Sequence, residues 1–591
     1  MRQAGLRRRA IAGFVLHAPQ VLRALVRADE AWLVALSAVV GITAGLCVTA
    51  ISMVTQAMHR VLFRLGAHER LSGQVDVPAI NTVLSLVVGG LVVGLAAVAV
   101  TRWWPRRAVD PIEANALYGG RMSLNDSLIV VGQTMLSNGF GASVGLEAAY
   151  TQIGAALASR FGRMFRLRRN DLRLLVGCGT AGAIAAAFNA PLCGAVYAFE
   201  LVIGTYAVAN LAPVGMATIS AVTVVRLLIP EEYGFEIRVP TAIEPVSYLP
   251  ILALGIICAL AGIAIMRGVT LTEALFRRSG VPVWSRPLIG GLVVGLLALV
   301  SPQVLSSGHA ALQVGLDAPY GLGQIALLIV LKSVASAVSL GAGFRGGLFF
   351  ASLFLGALMG KLFAAVLGGF AFMQSVPAVV CALVGMSALA VAIVGGPLTM
   401  TFLALESTGS FPLTVAVIAA SVVSALTVRR TFGYSFATWR FHLRGEAIRS
   451  AVDIGWMRSL TVGRMMRREV RTVRVDMTLE AFRRDVALGS TARVVAVDEA
   501  GKYAGIVMVA EIHAAQQHGV VRAMLHHQDE MLVPQMVIKD AVARFEEAEA
   551  DALAVVESRE NRRVLGVLTE QYALRRYSEE LERRRRELSG E

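Results

Sequence analysis

Apolar runs at residues 31–54, 80–100, 211–229, 249–265, 288–300 and 324–337 are long enough to span, or nearly span, a bilayer. In hydrocarbon every backbone N–H and C=O must be paired, which leaves only helices and closed barrels, and runs of this length select helices. Other apolar stretches are shorter and broken by glycine. Helices that stop partway are tolerated only where the freed backbone is buried in protein or lines a polar cavity, so the pattern predicts a transporter or channel over a simple anchor.

The chain has 591 residues, too many for one ordinary domain, and its composition is uneven. Up to about residue 430 it is dominated by Ala, Val, Leu and Gly; beyond that it is charged and ordinary for a soluble domain. The division read from this is a basic segment at 1–29, a membrane domain at 30–445, a linker at 446–461, an α/β tail at 462–580 and a charged end at 581–591. Lys and Arg number 55 against 41 Asp and Glu, a formal charge of +14. The arginines cluster at 7–9, 102–107, 160–173, 277–286 and 429–444, bordering apolar segments. By the positive-inside rule these segments, and with them both termini, face the cytoplasm of an integral membrane protein, while the loops at 230–245 and 301–323 face outward. Arginines so scattered do not form one stripe, and no nucleic-acid partner is expected. The first apolar run is longer than a signal-peptide core, so the N-terminal segment is expected to be retained.

All five cysteines, Cys47, Cys178, Cys193, Cys258 and Cys381, fall in apolar segments without metal-ligand spacing, and they read as small core residues. No nucleophile and base pair, metal-spaced cluster or phosphate loop with a lysine points to an enzyme.

A duplication organises the membrane part. Residues 137–147, SNGFGASVGLE, share a skeleton with 339–349, SLGAGFRGGLF: Gly139, Gly141, Gly145 and Leu146 match Gly341, Gly343, Gly347 and Leu348. Further on, Pro191, Leu192 and Glu200 match Pro397, Leu398 and Glu406. Two matches in the same order predict duplicated halves near 30–230 and 247–430, with a binding site between them. Glycine turns opening helices aim backbone N–H groups and the positive dipole end at an anion, so both glycine stretches read as anion-facing helix starts. Intramembrane carboxylates are costly and need explanations. At Glu147 the functional reading is a tethered anion that acts as a gate; a carboxylate merely satisfied by helix N–H groups is the competing one. Glu200 and Glu406 read as structural hydrogen-bonding groups near helix ends.

These residues resemble the CLC family of chloride channels and proton-coupled chloride exchangers. GLEAAYTQIG at 145–154 is similar to the GREGPxVQ motif, GGLFFA at 346–351 to GxFxP, and AAAFNAPLCG at 185–194 to AAxFxAPLxG. The resemblance implies an all-α polytopic fold with an inverted internal repeat, homodimeric with one pathway per subunit, with the lipid bilayer and a transported chloride or related anion as partners. It implies Glu147 as gate, and Ala108, Val109, Leu348, Phe349 and Tyr434 at the anion site, Tyr434 standing for the family's coordinating tyrosine. The GSGIP motif aligns to residues 107–111, where only Pro111 is kept and the serine hydroxyl is lost at Ala108. The internal proton-transfer glutamate of exchangers aligns to Leu201, which inclines the reading to channel-like or weakly proton-coupled chloride transport, with a proton/chloride antiporter as the alternative.

The tail reads as two βαβ-like copies and resembles a tandem CBS-domain pair. Such pairs sometimes bind adenine nucleotide, and the positions that align with the usual Thr and Asp are Met508 and Glu511 in the first copy and Thr569 and Tyr572 in the second. Glu511 and Thr569 are the candidates, the ribose-binding acid is lost at Tyr572, and a structural or dimer-supporting tail is the alternative. No other cofactor is expected. A bacterial inner-membrane location follows from the same resemblance, and a membrane sensor that transports nothing is the rival reading from another class.

Overall fold

The computed structural model describes residues 30–66, 69–74, 76–229, 243–317, 320–368, 376–443, 460–516 and 518–589. The basic segment at 1–29, most of the 230–245 loop, most of the 446–461 linker and residues 590–591 lie outside them. The chain forms two units, Met1–Asp453 and Ile454–Glu591.

The first unit is helical. One half holds α1 Glu30–Phe63, α2 Ala79–Trp103, α3 Pro111–Leu117, α4 Leu124–Gly139, α5 Glu147–Met164, α6 Arg169–Phe188, α7 Pro191–Tyr197 and α8 Val208–Leu228. The other holds α9 Tyr248–Arg278, α10 Arg286–Val300, α11 His309–Asp317, α12 Leu322–Ala342, α13 Phe349–Leu367, α14 Ala378–Val394, α15 Pro397–Thr408 and α16 Phe411–Thr431, and α17 Phe436–Leu443 follows. Among the described residues eight helices are long and apolar enough to cross a membrane. The run at 288–300 lies in α10, which has 15 residues and falls short of a span. Conversely α6, α13 and α16 qualify although none of the six runs read from the sequence contains them. For α6 the reason is physical: 83% of its apolar window is buried inside the protein, where alanine and glycine serve close packing better than bulky apolar side chains do.

The duplication is visible as repeated packing. α5 crosses α6 where Gly154 meets the backbone of Gly179, and α13 crosses α14 where Gly356 meets Gly385. A Cβ at any of these four positions would strike backbone, which cannot move aside. The largest apolar core lies mainly in the second half, around α13 and α14, and includes Phe354, Leu383 and Leu389.

The second unit contains α18 Val462–Met465, β1 Thr472–Arg474, α19 Leu479–Asp485, β2 Arg493–Val497, β3 Tyr503–Met508 and α20 Val509–Ala514, then α21 Ile538–Glu547, β4 Ala552–Val556, β5 Val564–Thr569 and α22 Glu570–Ser589. β1 runs parallel to β2 and β2 antiparallel to β3; β4 and β5 form a separate antiparallel pair. The copies interleave. Leu460, Val462 and Met465, which precede the first sheet, pack into the core of the second copy with Leu532, Phe545 and Leu553.

Candidate anion pathway

The two glycine stretches are bonded to each other. Gly145 N–H donates to the Gly347 carbonyl at 2.9 Å and Gly347 N–H to the Gly145 carbonyl at 3.1 Å, an antiparallel bridge between halves. The surrounding bonds are reciprocal. Ser137 Oγ accepts from Arg345 N–H at 3.0 Å, and its counterpart Ser339 Oγ accepts from Ser143 N–H at 3.0 Å. When residue i meets j′ and i′ meets j, the halves are related by a two-fold axis, here passing beside Gly145 and Gly347.

Glu147 stands at this junction, the first residue of α5, and is 4% exposed. Its Oε1 accepts from Phe350 N–H at 3.0 Å, in the first turn of α13. Its Oε2 is buried without a partner among the described residues. One helix start thus supplies the carboxylate and the other the amide, where unsatisfied N–H groups and the dipole both favour negative charge. A Cβ on Gly145 would overlap the Glu147 carboxylate, and one on Gly347 would come within 2.9 Å of Oε2. We expect Gly145→Ala to push the carboxylate away from Phe350, at a cost of about 1–3 kcal/mol in stability. Anion flux of that variant should then lose much of its dependence on pH, read in liposomes beside a thermal melt; an unchanged pH profile would show that the carboxylate stays in place.

A cavity of about 490 Å³ adjoins Glu147. Its walls include Ala108, Asp110, Tyr197, Leu201, Leu348 and Phe349, and Arg286, Arg345 and Arg440 bring positive charge to it. A second cavity of about 440 Å³ shares Ala108, Val130 and Arg345 and adds Arg106 and Arg107. Of the sequence candidates, the fold therefore gathers Glu147, Ala108, Leu348 and Phe349 around one space. Val109 is beside it, its carbonyl accepting from Gln152 Nε2 at 2.9 Å. Tyr434 is not on the cavity wall; its ring lies against Trp439 and Phe432, with centroids 5.5 and 6.4 Å away.

Glu200 and Glu406 are bonded across the halves. Glu200 accepts from Leu398 N–H at 3.1 Å, Thr399 N–H at 2.9 Å and Thr399 Oγ1 at 2.7 Å. Glu406 accepts from Leu192 N–H and Cys193 N–H, both at 2.8 Å. Each carboxylate satisfies the orphan N–H groups at the other half's helix start, and the proline at each first turn has no N–H to satisfy.

Three participants escaped the linear reading. The amide on Glu147 is that of Phe350, one residue beyond Phe349, and a motif cannot say which of the free first-turn N–H groups faces a side chain from 200 residues away. Tyr197 lines the cavity, although nothing in its own segment marks it. Lys332 is fully buried, with Nζ donating to the carbonyls of Val304 at 3.0 Å and Ser306 at 2.9 Å. Ser306 Oγ donates to Asn138 Oδ1 at 3.2 Å, and Asn138 Nδ2 to the Val144 carbonyl at 2.5 Å, so the lysine braces the glycine stretch. A lone lysine inside an apolar span was a usable signal.

In the second unit Glu511 Oε2 is 2.6 Å from His526 Nε2, and Thr569 ends β5 opposite Ala552. Neighbouring His527 is held below the ordinary imidazole value, chiefly by burial and then by His526. Neither cavity involves Glu511 or Thr569.

The family model described as voltage gated chloride channel matches residues 96–429, and the CBS domain model matches 462–517. A protein of Ralstonia nicotianae described as a ClcB-like chloride channel protein is 33% identical over 354 residues, covering 58% of this chain and 81% of that one. In fold, the chain is similar to a slow cyanobacterial Cl⁻/H⁺ antiporter, with TM-score 0.61, 20% identity and coverage of 70% of this chain and 97% of that one. It is likewise similar to a eukaryotic CLC transporter, with TM-score 0.59, 17% identity and coverage of 91% and 97%.

Proposed function

This chain belongs to the voltage-gated chloride channel family, the CLC proteins, and from that premise we propose that it moves chloride through the cavity beside Glu147, with that carboxylate as the gate. The supporting observation is the carboxylate's position, bonded to Phe350 N–H on one oxygen and unpaired on the other. An ionised carboxylate there competes with a diffusing anion for the same helix-start amide, and a protonated one yields it. The arginines on the two cavities concentrate anions at the entrance, which the positive-inside rule puts on the cytoplasmic side with both termini. Exposed apolar residues on α8 and α16, among them Leu211, Ile219, Phe411 and Ile418, suit lipid and a second copy, and the unit of function is a homodimer in the bacterial inner membrane. The CBS pair is a supporting tail; its candidate acid Glu511 already faces His526.

Movement is channel-like in this reading. Leu201 lines the cavity and cannot carry a proton, and Glu200 beside it has both oxygens engaged by α15. Three other acids on the same cavity, Asp110, Glu113 and Glu273, favour a second reading as a proton/chloride exchanger. A chloride gradient across liposomes separates the two. We expect no sustained uphill proton movement from the wild type; sustained proton movement that Asp110→Asn abolishes would establish the exchanger instead.

A further inference from the structure

The cavity lacks both hydroxyls that the resemblance would place around the anion. Position 108 is alanine, and Tyr434 is off the wall. Tyr197 is on it. This residue ends α7, its ring centroid 6.4 Å from that of Phe349, whose own ring is 4.7 Å from Phe188. Glu147 and Asp110 line the same cavity, so Tyr197 shares its space with the gate. Tyr197 is half-buried, and among the described residues its hydroxyl makes no hydrogen bond, which leaves that donor available to a ligand in the cavity.

The ring is held firmly. α7 is anchored at its start by Glu406 on Leu192 and Cys193, and beyond Tyr197 it passes into the π-helical turn Ala198–Ile203, whose Glu200 is bonded to Leu398 and Thr399. A rigid, neutral O–H donor facing an anion cavity has the property that conduction needs: it replaces a water without binding as firmly as a lysine would.

Resting on the chloride-transport reading, we infer that Tyr197 supplies the side-chain hydrogen bond to the conducted anion, the part left open by Ala108 and by the displaced Tyr434. Its hydroxyl then contributes to selectivity, because small, strongly hydrated anions depend most on a good donor.

Two measurements on the full-length protein test this. Calorimetric titration with chloride should show binding about tenfold weaker or more in Tyr197→Phe, which removes only the hydroxyl, and little change in Tyr434→Phe. Anomalous scattering from bromide in wild-type crystals should place the ion within hydrogen-bond reach of Tyr197 Oη, a readout that does not depend on the variant folding. Wild-type affinity in Tyr197→Phe, or a bromide ion at Tyr434 and away from Tyr197, overturns the assignment. Wild-type flux in liposomes is measured separately: its absence would remove the transport reading while the two binding results still decide the role of Tyr197.

Discussion

Glu147→Gln, reconstituted in liposomes, is expected to carry chloride at a rate that no longer changes with pH and that exceeds the wild-type rate at neutral pH by about tenfold or more. Glutamine keeps the shape and one oxygen for Phe350 N–H but removes the charge. A charge-assisted hydrogen bond to a carboxylate contributes about 1.5–3 kcal/mol, and losing the charge removes most of that advantage over the arriving anion. The sign of the wild-type profile follows. Acid protonates the carboxylate, frees the amide and raises flux; alkaline pH keeps the gate ionised, bound at Phe350 and closed to competing anions. Chloride efflux measured across pH on wild type and variant is the check. A pH profile shared by both would remove Glu147 as the gate and leave it as a structural cap on α13.

The second large effect is on stability. Glu200→Gln should destabilise the membrane unit by about 2–5 kcal/mol, because the carboxylate accepts three hydrogen bonds at the start of α15 and an amide would turn donors toward those N–H groups. Glu406→Gln should act in the same direction and less strongly, since its carboxylate accepts two such bonds, with nothing equivalent to the Thr399 hydroxyl. Thermal unfolding in detergent measures both. Equal melting of wild type and Glu200→Gln would show that the clamp between halves contributes little, and a larger loss from Glu406→Gln would reverse the order set by the bond geometry.

Both predictions depend on a relation that local pattern only half disclosed. The spacing shared by 137–147 and 339–349 announced a duplication, and the shared step from Pro191 to Glu200 and from Pro397 to Glu406 put carboxylates at matching places. That these carboxylates cross over, each serving the other half's helix, follows from the two-fold relation in space. Periodicity within one helix carries no information about partners about 200 residues away.

The membrane class, the duplicated halves, the presence of a carboxylate at Glu147 beside the glycine stretch and the α/β tail were written in the chain itself, because bilayer thickness and repeat spacing act on short stretches. Only the tertiary structure decided that Phe350 supplies the amide, that Tyr197 and not Tyr434 lines the cavity, that Leu201 faces it while Glu200 is bonded elsewhere, and that Lys332 braces the glycine stretch. Hydrogen bonds are directional and reach about 3 Å, so which of several eligible groups takes part depends on helix rotation and crossing, and these are set by glycine contacts such as Gly154 on Gly179 and Gly356 on Gly385.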